Sequence, residues 1–246
     1  MRGLARVRGF RRRDTCLLAA CICAGGVLSV AALPGHASTA APSAKAAFAN
    51  APLPTTLGEV ESSAEDIVDY ALSGDRADAV AESARLKAAA NGPAAAALRR
   101  SGVPPDELIR LEQRANRVAQ LTRAGSFIGI DLAANAISQL MPELYGRFRN
   151  PVPAAILELD YLDREAQLRS LAHQPRKVAD AVEGLVRAWP QVRPKVIAAG
   201  GGKEAAAYSG HVAAMKQLEP DARKRVQAEA VRGLELVDEL ERVFTR

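Results

Sequence analysis

The chain has 246 residues, with 33 basic and 28 acidic side chains and a formal net charge of +5. Residues 1–37 hold six arginines and one acidic residue, so residues 38–246 carry 27 basic and 27 acidic side chains and are neutral. A neutral body lacks the positive surface of a protein that binds a phosphate backbone. All three cysteines also lie in residues 1–37, which excludes disulfide scaffolds, thiol catalysis and cysteine-ligated metal centres from the remainder.

The N-terminal segment has the pattern of a secretory signal. A basic run ends at Arg13, an apolar stretch extends from Cys16 to Leu33, and small residues lead to Ala37. We expect cleavage after Ala37 and export of residues 38–246 to the periplasm or the medium. Two alternatives remain open, namely an uncleaved signal that anchors the chain in the membrane and lipid attachment at Cys21.

The rest of the chain divides into a linker and one domain. Residues 38–56 are mostly Ala, Pro and Ser with little charge, which is typical of a disordered linker. Residues 57–246 are numerous enough to bury a core of their own. Their apolar residues recur at spacings of three and four, and no run of alternating β-branched residues indicates a strand. The pattern predicts a single all-α domain.

Glycine and proline divide this domain into helical regions. The capping-box sequence of residues 62–65 predicts the start of the first helix, and Pro105 predicts the start of a long helix that ends near Pro142. Four regions of about 30 to 45 residues, joined by short turns, predict an antiparallel four-helix bundle with kinked or broken helices. The alternative is a short α-solenoid of helical hairpins. The expected breaks lie at residues 73–75, 91–93, 101–104, 142–153, 173–175, 200–202 and 219–220.

His211 is the strongest single candidate for a binding residue. Tyr208 and Met215 lie three residues before it and four after it, on the same helix face. Imidazole and thioether ligands suit copper or haem iron, and Met141 could supply a third ligand from a neighbouring region. The pattern favours the alternative that Tyr208 and Met215 are core residues, with His211 at the edge of the core.

Two polar clusters allow a second interpretation. Asp131, Asn135 and Ser138 form one row along a helix, and an inward-facing row would be a small-ligand site, with Tyr208 as a further candidate. Amphipathic patterning favours a row that faces solvent. A solvated face is also the expectation for the acidic cluster Glu158, Asp160, Asp163 and Glu165.

The sequence contains no His-Glu-x-x-His, Gly-x-Ser-x-Gly or Ser-x-x-Lys motif. We therefore expect no enzyme and no cofactor, but an exported binding or accessory module of the cell envelope. Its partner would be an envelope protein that docks on a contiguous apolar patch, with no nucleic acid and no membrane span in the exported chain. The alternative function is a periplasmic copper-, iron- or haem-binding bundle that uses His211 and Met215.

Overall fold

The computed structural model describes residues 51–125 and 127–246. Within these ranges the chain is helical and has no strand, although an isolated bridge joins Pro52 and Arg149. The predicted all-α class is confirmed, and the predicted signal segment, residues 1–37, lies outside the described residues. The helices are α1 (Thr55–Ser73), α2 (Arg76–Asn91), α3 (Pro93–Arg100), α4 (Pro105–Ala124), α5 (Phe127–Ser138), α6 (Met141–Tyr145), α7 (Ala154–Leu171), α8 (Pro175–Ala198), α9 (Gly202–Gln217) and α10 (Arg223–Phe244).

Most helix ends lie where glycine or proline was expected to place them. Gly74 follows α1 and Gly200 follows α8, both with positive φ, a conformation that glycine adopts without steric penalty. Pro105 and Pro175 occupy the first turns of α4 and α8. Proline has no N–H group, and an N–H in the first turn of a helix has no intrahelical partner, so proline loses no helical hydrogen bond there. Each predicted region therefore contains two helices of at least 12 residues rather than one continuous helix.

Two predicted helix boundaries are wrong. The capping-box sequence of residues 62–65 does not begin a helix, because α1 begins at Thr55 and the buried Leu57 and Val60 extend its apolar face upstream. The long helix predicted from Pro105 to Pro142 is broken at Gly125, which has φ 78°. A Cβ on that glycine would lie 3.0 Å from the guanidinium nitrogens of Arg76 on α2, a tight approach that favours glycine there.

The first half of the described chain has its own core. Helix α1 packs against α2 and α5, and α4 packs against the same two helices. Each fully buried aliphatic side chain contributes about 1.5–3 kcal/mol relative to an exposed one. The largest fully buried residues of this first core are Leu57, Ile67, Leu86, Leu98, Leu111, Ile130, Ile137, Met141 and Leu168.

The second half repeats this arrangement. Helix α7 packs against α8 and α10, and α9 packs against the same two helices. The second core includes the fully buried residues Ile156, Leu159, Leu185, Val192, Val196, Tyr208 and Leu240.

Helix α7 is shared between the two cores. Leu157 and Leu168 belong to the first core, whereas Ile156 and Leu159 belong to the second. Helix α5 also packs directly against α7. The polar side chains of α5 and α7 are therefore positioned where the two halves meet.

Residues 51–54, at the end of the segment assigned to the linker, contact the helices. The Arg149 N–H donates to the Ala51 carbonyl over 2.8 Å, and Ala51 and Leu53 pack against the first core. Among the described helices, none is both long and apolar enough to cross a membrane.

Candidate functional site

His211 is completely buried and bridges two carboxylates. Its Nε2 lies 2.8 Å from Asp163 Oδ1 on α7, and its Nδ1 lies 3.0 Å from Glu229 Oε1 on α10. Tyr208 donates its hydroxyl to the second oxygen of Asp163 over 2.7 Å. We call Asp163, Tyr208, His211 and Glu229 the histidine network. It joins α7, α9 and α10, because its members lie on those three helices.

The histidine network favours a positively charged imidazole. Burial alone lowers the pKa of His211, but hydrogen bonds and charges from Asp163 and Glu229 outweigh it and raise the pKa above 6.5. Burial raises the pKa of the Asp163 carboxyl, while hydrogen bonds from His211 and Tyr208 oppose that shift. Ionised carboxylates only accept hydrogen bonds, so both bonds to the ring are satisfied when both nitrogens carry protons. At the surface, Arg232 lies 3.3 Å from Glu229.

Gly233 on α10 leaves the space that the histidine network needs. A Cβ at this position would lie 2.5 Å from Asp163 Cγ and from His211 Nε2. Gly210 lies inside α9, but a Cβ there would meet nothing within 4 Å. The two glycines therefore form a matched pair for substitution.

We expect Gly233→Ala to lower the free energy of unfolding by about 1–3 kcal/mol, because the added methyl overfills a packed site. Gly210→Ala should instead raise it by about 0.5–1 kcal/mol, since alanine is the better helix former. Urea unfolding of the two variants measures both effects. Equal effects of the two substitutions would contradict the close approach at Gly233.

The predicted metal ligands do not come together. His211 and Met215 belong to the second half, where both ring nitrogens of His211 are engaged, whereas Met141 is fully buried in the first core. In the part of the chain that the structure describes, no group of three or more His, Cys, Asp or Glu side chains could hold a metal ion. Tyr208 is a core residue that packs against Trp189 with ring centroids 4.8 Å apart.

The polar row of α5 faces inward, contrary to the solvent-facing orientation that the sequence favoured. Asp131, Asn135 and Ser138 are 2%, 0% and 4% exposed. Helix α5 packs against α1, α4 and α7, so little of its surface faces solvent and polar residues need not mark an exposed face. We call these three residues the α5 polar row.

Each member of the α5 polar row has an oxygen without a hydrogen-bond partner. These atoms are Asp131 Oδ1, Asn135 Oδ1 and Ser138 Oγ. Burial, followed by the negative charge of Asp69, raises the pKa of Asp131 to about 7. A buried polar atom that lacks a partner is costly, so three such oxygens on one helix require an explanation.

A cleft of about 310 Å³ lies between α5, α7 and α8. It is lined by Leu132, Ala136, Gln139, Tyr161, Leu162, Glu165, Arg169, Lys177, Asp180 and Ala181. Two ion pairs border it, with Arg169 Nε 2.6 Å from Glu165 Oε1 and Lys177 Nζ 2.9 Å from Asp180 Oδ2. The cleft therefore has charged side chains of both signs and apolar side chains in its lining.

Asn135 connects the α5 polar row to this cleft. Its amide donates to Glu165 Oε2 over 2.9 Å and to the Tyr161 carbonyl over 3.4 Å, and both partners line the cleft. Burial raises the pKa of the Tyr161 phenol to about 12, which keeps it neutral. Asn135 therefore belongs to the α5 polar row and is also hydrogen-bonded to the wall of the cleft.

The acidic cluster of α7 is not a uniformly solvated face, and that expectation is wrong. Glu158 is exposed, but Asp163 is completely buried in the histidine network. Asp160 pairs with the buried Arg164 over 2.6 Å, and Glu165 borders the cleft. A central helix with neighbours on several sides has little surface to offer to solvent.

Seven large apolar side chains are exposed in the described part of the chain, each on a different helix. Single exposed apolar residues on a helix are normal for a protein surface. The seven are Leu72, Val80, Ile109, Phe127, Leu171, Ile197 and Val231.

Comparison with protein-family models, curated proteins and solved structures finds no match for this chain.

Sequence reasoning missed the residues that complete these sites. Glu229 and Gly233 on α10 carry no motif that connects them to His211. In the sequence, Lys177 and Asp180 have the pattern of an ordinary charged helix face. Only the position of α8 beside α5 and α7 places them in the lining of the cleft. Asn135, in contrast, was identified from the sequence as a candidate ligand-site residue, although its row was expected to face solvent.

Proposed function

We propose that this protein is an exported, non-catalytic binding module of the cell envelope, and that its ligand is a small molecule held in the cleft between α5, α7 and α8. The observation that carries the proposal is the cleft itself. Its volume of about 310 Å³ is at the lower end of the range for small-molecule sites, which measure about 300–1,000 Å³ and often lie between helices. The secretory signal pattern of residues 1–37 supports export.

The lining of the cleft specifies the chemistry of the ligand. Leu132 and Leu162 offer apolar contact, while Glu165 and Asp180 attract cationic groups and Arg169 and Lys177 attract anionic groups. A ligand that carries both an amine and a carboxylate can engage both pairs. A zwitterionic molecule of amino-acid size fits these requirements best.

The buried position of His211 supports a non-catalytic role for this residue. His211, which is the strongest candidate for proton transfer, is 0% exposed and has both nitrogens engaged. A general acid or base must come within hydrogen-bond reach of a substrate. The copper, iron or haem alternative meets the same obstacle, because a metal would need one of those ring nitrogens.

The proposal includes a finer architecture for the second half, in which α7, α8, α9 and α10 form an antiparallel four-helix bundle. Support comes from the pairing of α7 and α9 with the same two helices and from connections of three to five residues between consecutive helices. Short connections place consecutive helices side by side in opposite directions. The cleft then lies on the outer face of this bundle, against α5.

We expect zwitterionic amino acids to raise the melting temperature of the full chain, and Glu165→Gln to abolish that rise. The substitution keeps the shape of the side chain but removes the charge that attracts the ligand amine. A thermal-shift panel of amino acids, dicarboxylates and simple amines identifies the class. At saturation with 100 times Kd, a bound ligand adds about 2.7 kcal/mol of stability.

Glu183→Gln is the matched control. Glu183 lies on α8 and pairs with Arg187 four residues later, as Glu165 pairs with Arg169, but it is exposed and outside the cleft. This variant should retain the full ligand response. The proposal fails if no class stabilises the wild-type chain, or if the two variants respond alike.

A further inference from the structure

The α5 polar row presents three oxygens along one helix face. Asn135 is central, with Asp131 one turn before it and Ser138 one turn after it. All three side chains are more than nine-tenths buried, and the oxygens Asp131 Oδ1, Asn135 Oδ1 and Ser138 Oγ have no partner. Carboxylate, amide and hydroxyl oxygens are hard ligands of the kind that bind alkali and alkaline-earth cations.

The orientation of Asn135 is set by its other hydrogen bonds. Its Nδ2 donates to Glu165 Oε2 and to the Tyr161 carbonyl. If the amide were turned over, the Asn135 oxygen would face two oxygens that can only accept, those of Glu165 and of the Tyr161 carbonyl. The amide nitrogen therefore faces them, and Oδ1 is the atom without a partner. The unpartnered atom of Asn135 is therefore an acceptor, which can bind a hydrogen-bond donor or a cation.

The electrostatic surroundings also favour a cation. Asp69 on α1 is exposed and acts on Asp131 with like charge. On two helices that pack against α5, arginines are engaged elsewhere, since Arg164 pairs with Asp160 and Arg114 donates to the Ala136 carbonyl. Within the described residues no ion pair includes Asp131. The α5 polar row thus gathers oxygen lone pairs around one ionisable carboxyl that has no counter-charge among the described ion pairs.

We propose that the α5 polar row binds a small cation, an inorganic ion or an ammonium group, between α5 and the junction of α1 and α7. Asp131 supplies the charge, and Asn135 and Ser138 supply neutral oxygens. This inference does not depend on the cleft holding a ligand, because the cleft is lined by the neighbouring residues Leu132, Ala136 and Gln139.

Thermal unfolding of the full chain at constant ionic strength tests the proposal. Sodium, potassium, ammonium, magnesium and calcium chlorides are titrated in turn against tetramethylammonium chloride, whose cation is too large for a buried row. A small cation should raise the melting temperature in a saturable way. The arms of the titration distinguish an alkali ion, an ammonium group and a divalent ion.

Three variants make the result specific. Asp131→Asn should raise the half-saturating cation concentration by about tenfold to hundredfold, as expected when a charged partner is lost. Ser138→Ala should raise it by a smaller factor while leaving the fold intact, because its hydroxyl has no protein partner. Asp106→Asn removes the same charge from an exposed position on α4 and should leave the response unchanged.

The proposal is overturned if no small cation stabilises the wild-type chain beyond tetramethylammonium, or if Asp131→Asn responds like Asp106→Asn. A failed cation titration combined with a positive amino-acid response would leave the cleft proposal standing. The converse result would support the cation site alone.

Discussion

We expect His211→Ala to lower the free energy of unfolding by about 3–5 kcal/mol, because it breaks a buried ion pair by removing one partner. The substitution leaves Asp163 completely buried without its main counter-charge and opens a void in the second core. Urea denaturation followed by circular dichroism measures the loss. The matched control is His173→Ala, which removes an exposed histidine from the turn between α7 and α8 and should change stability by about 0.5 kcal/mol or less.

The effect of His211→Ala should depend on pH in a defined direction. The pKa of His211 is raised above 6.5, so its contribution to stability is complete below pH 6.5 and is lost as pH rises through the higher native value. The difference in free energy of unfolding between the wild-type chain and His211→Ala should therefore become smaller at alkaline pH. A difference that grows with pH would contradict a charged imidazole between Asp163 and Glu229.

Asp131→Asn should have the opposite effect and stabilise the protein. The pKa of Asp131 is raised from 3.8 to about 7, so between those values the native state keeps a proton that the unfolded chain has released. Stability then falls as pH rises through this window by up to about 4 kcal/mol, at about 1.4 kcal/mol per pKa unit. The asparagine carries no charge and avoids this loss.

The measurement is urea unfolding of both chains from pH 4 to pH 8 in tetramethylammonium buffer, which supplies no small cation for the α5 polar row. The two chains should be of similar stability near pH 4, and the variant should be more stable above pH 7. Asp106→Asn should follow the wild-type profile. A wild-type profile that is flat from pH 4 to pH 7 would contradict the burial of an unpaired Asp131.

The helical class was predictable because it depends on local features. Apolar spacing, prolines in first turns and glycines at ends act over a few residues, and they place the breaks at Gly74, Pro175 and Gly200 correctly. The break at Gly125 was missed because the apolar spacing continues on both sides of this glycine, which hides a local helix end with positive φ.

The sites were less predictable because they depend on distant residues. Asp163 and His211 are separated by 48 positions and His211 and Glu229 by 18, and no pattern in the sequence connects them. The expectation that Asn135 faces solvent was wrong because α5 has helices on several sides, so a polar row on it does not have to be exposed. The identity of His211 as the central residue was still recoverable, since Tyr208 and Met215 mark its helix face as core.

Native mass spectrometry of the full chain, purified as it leaves the cell and without added ligand, tests the binding function most directly. The account predicts that wild-type and Glu183→Gln chains retain a small molecule that Glu165→Gln has lost. Recovery of the bare polypeptide mass in all three, or of the same bound molecule in all three, would contradict binding in the cleft between α5, α7 and α8.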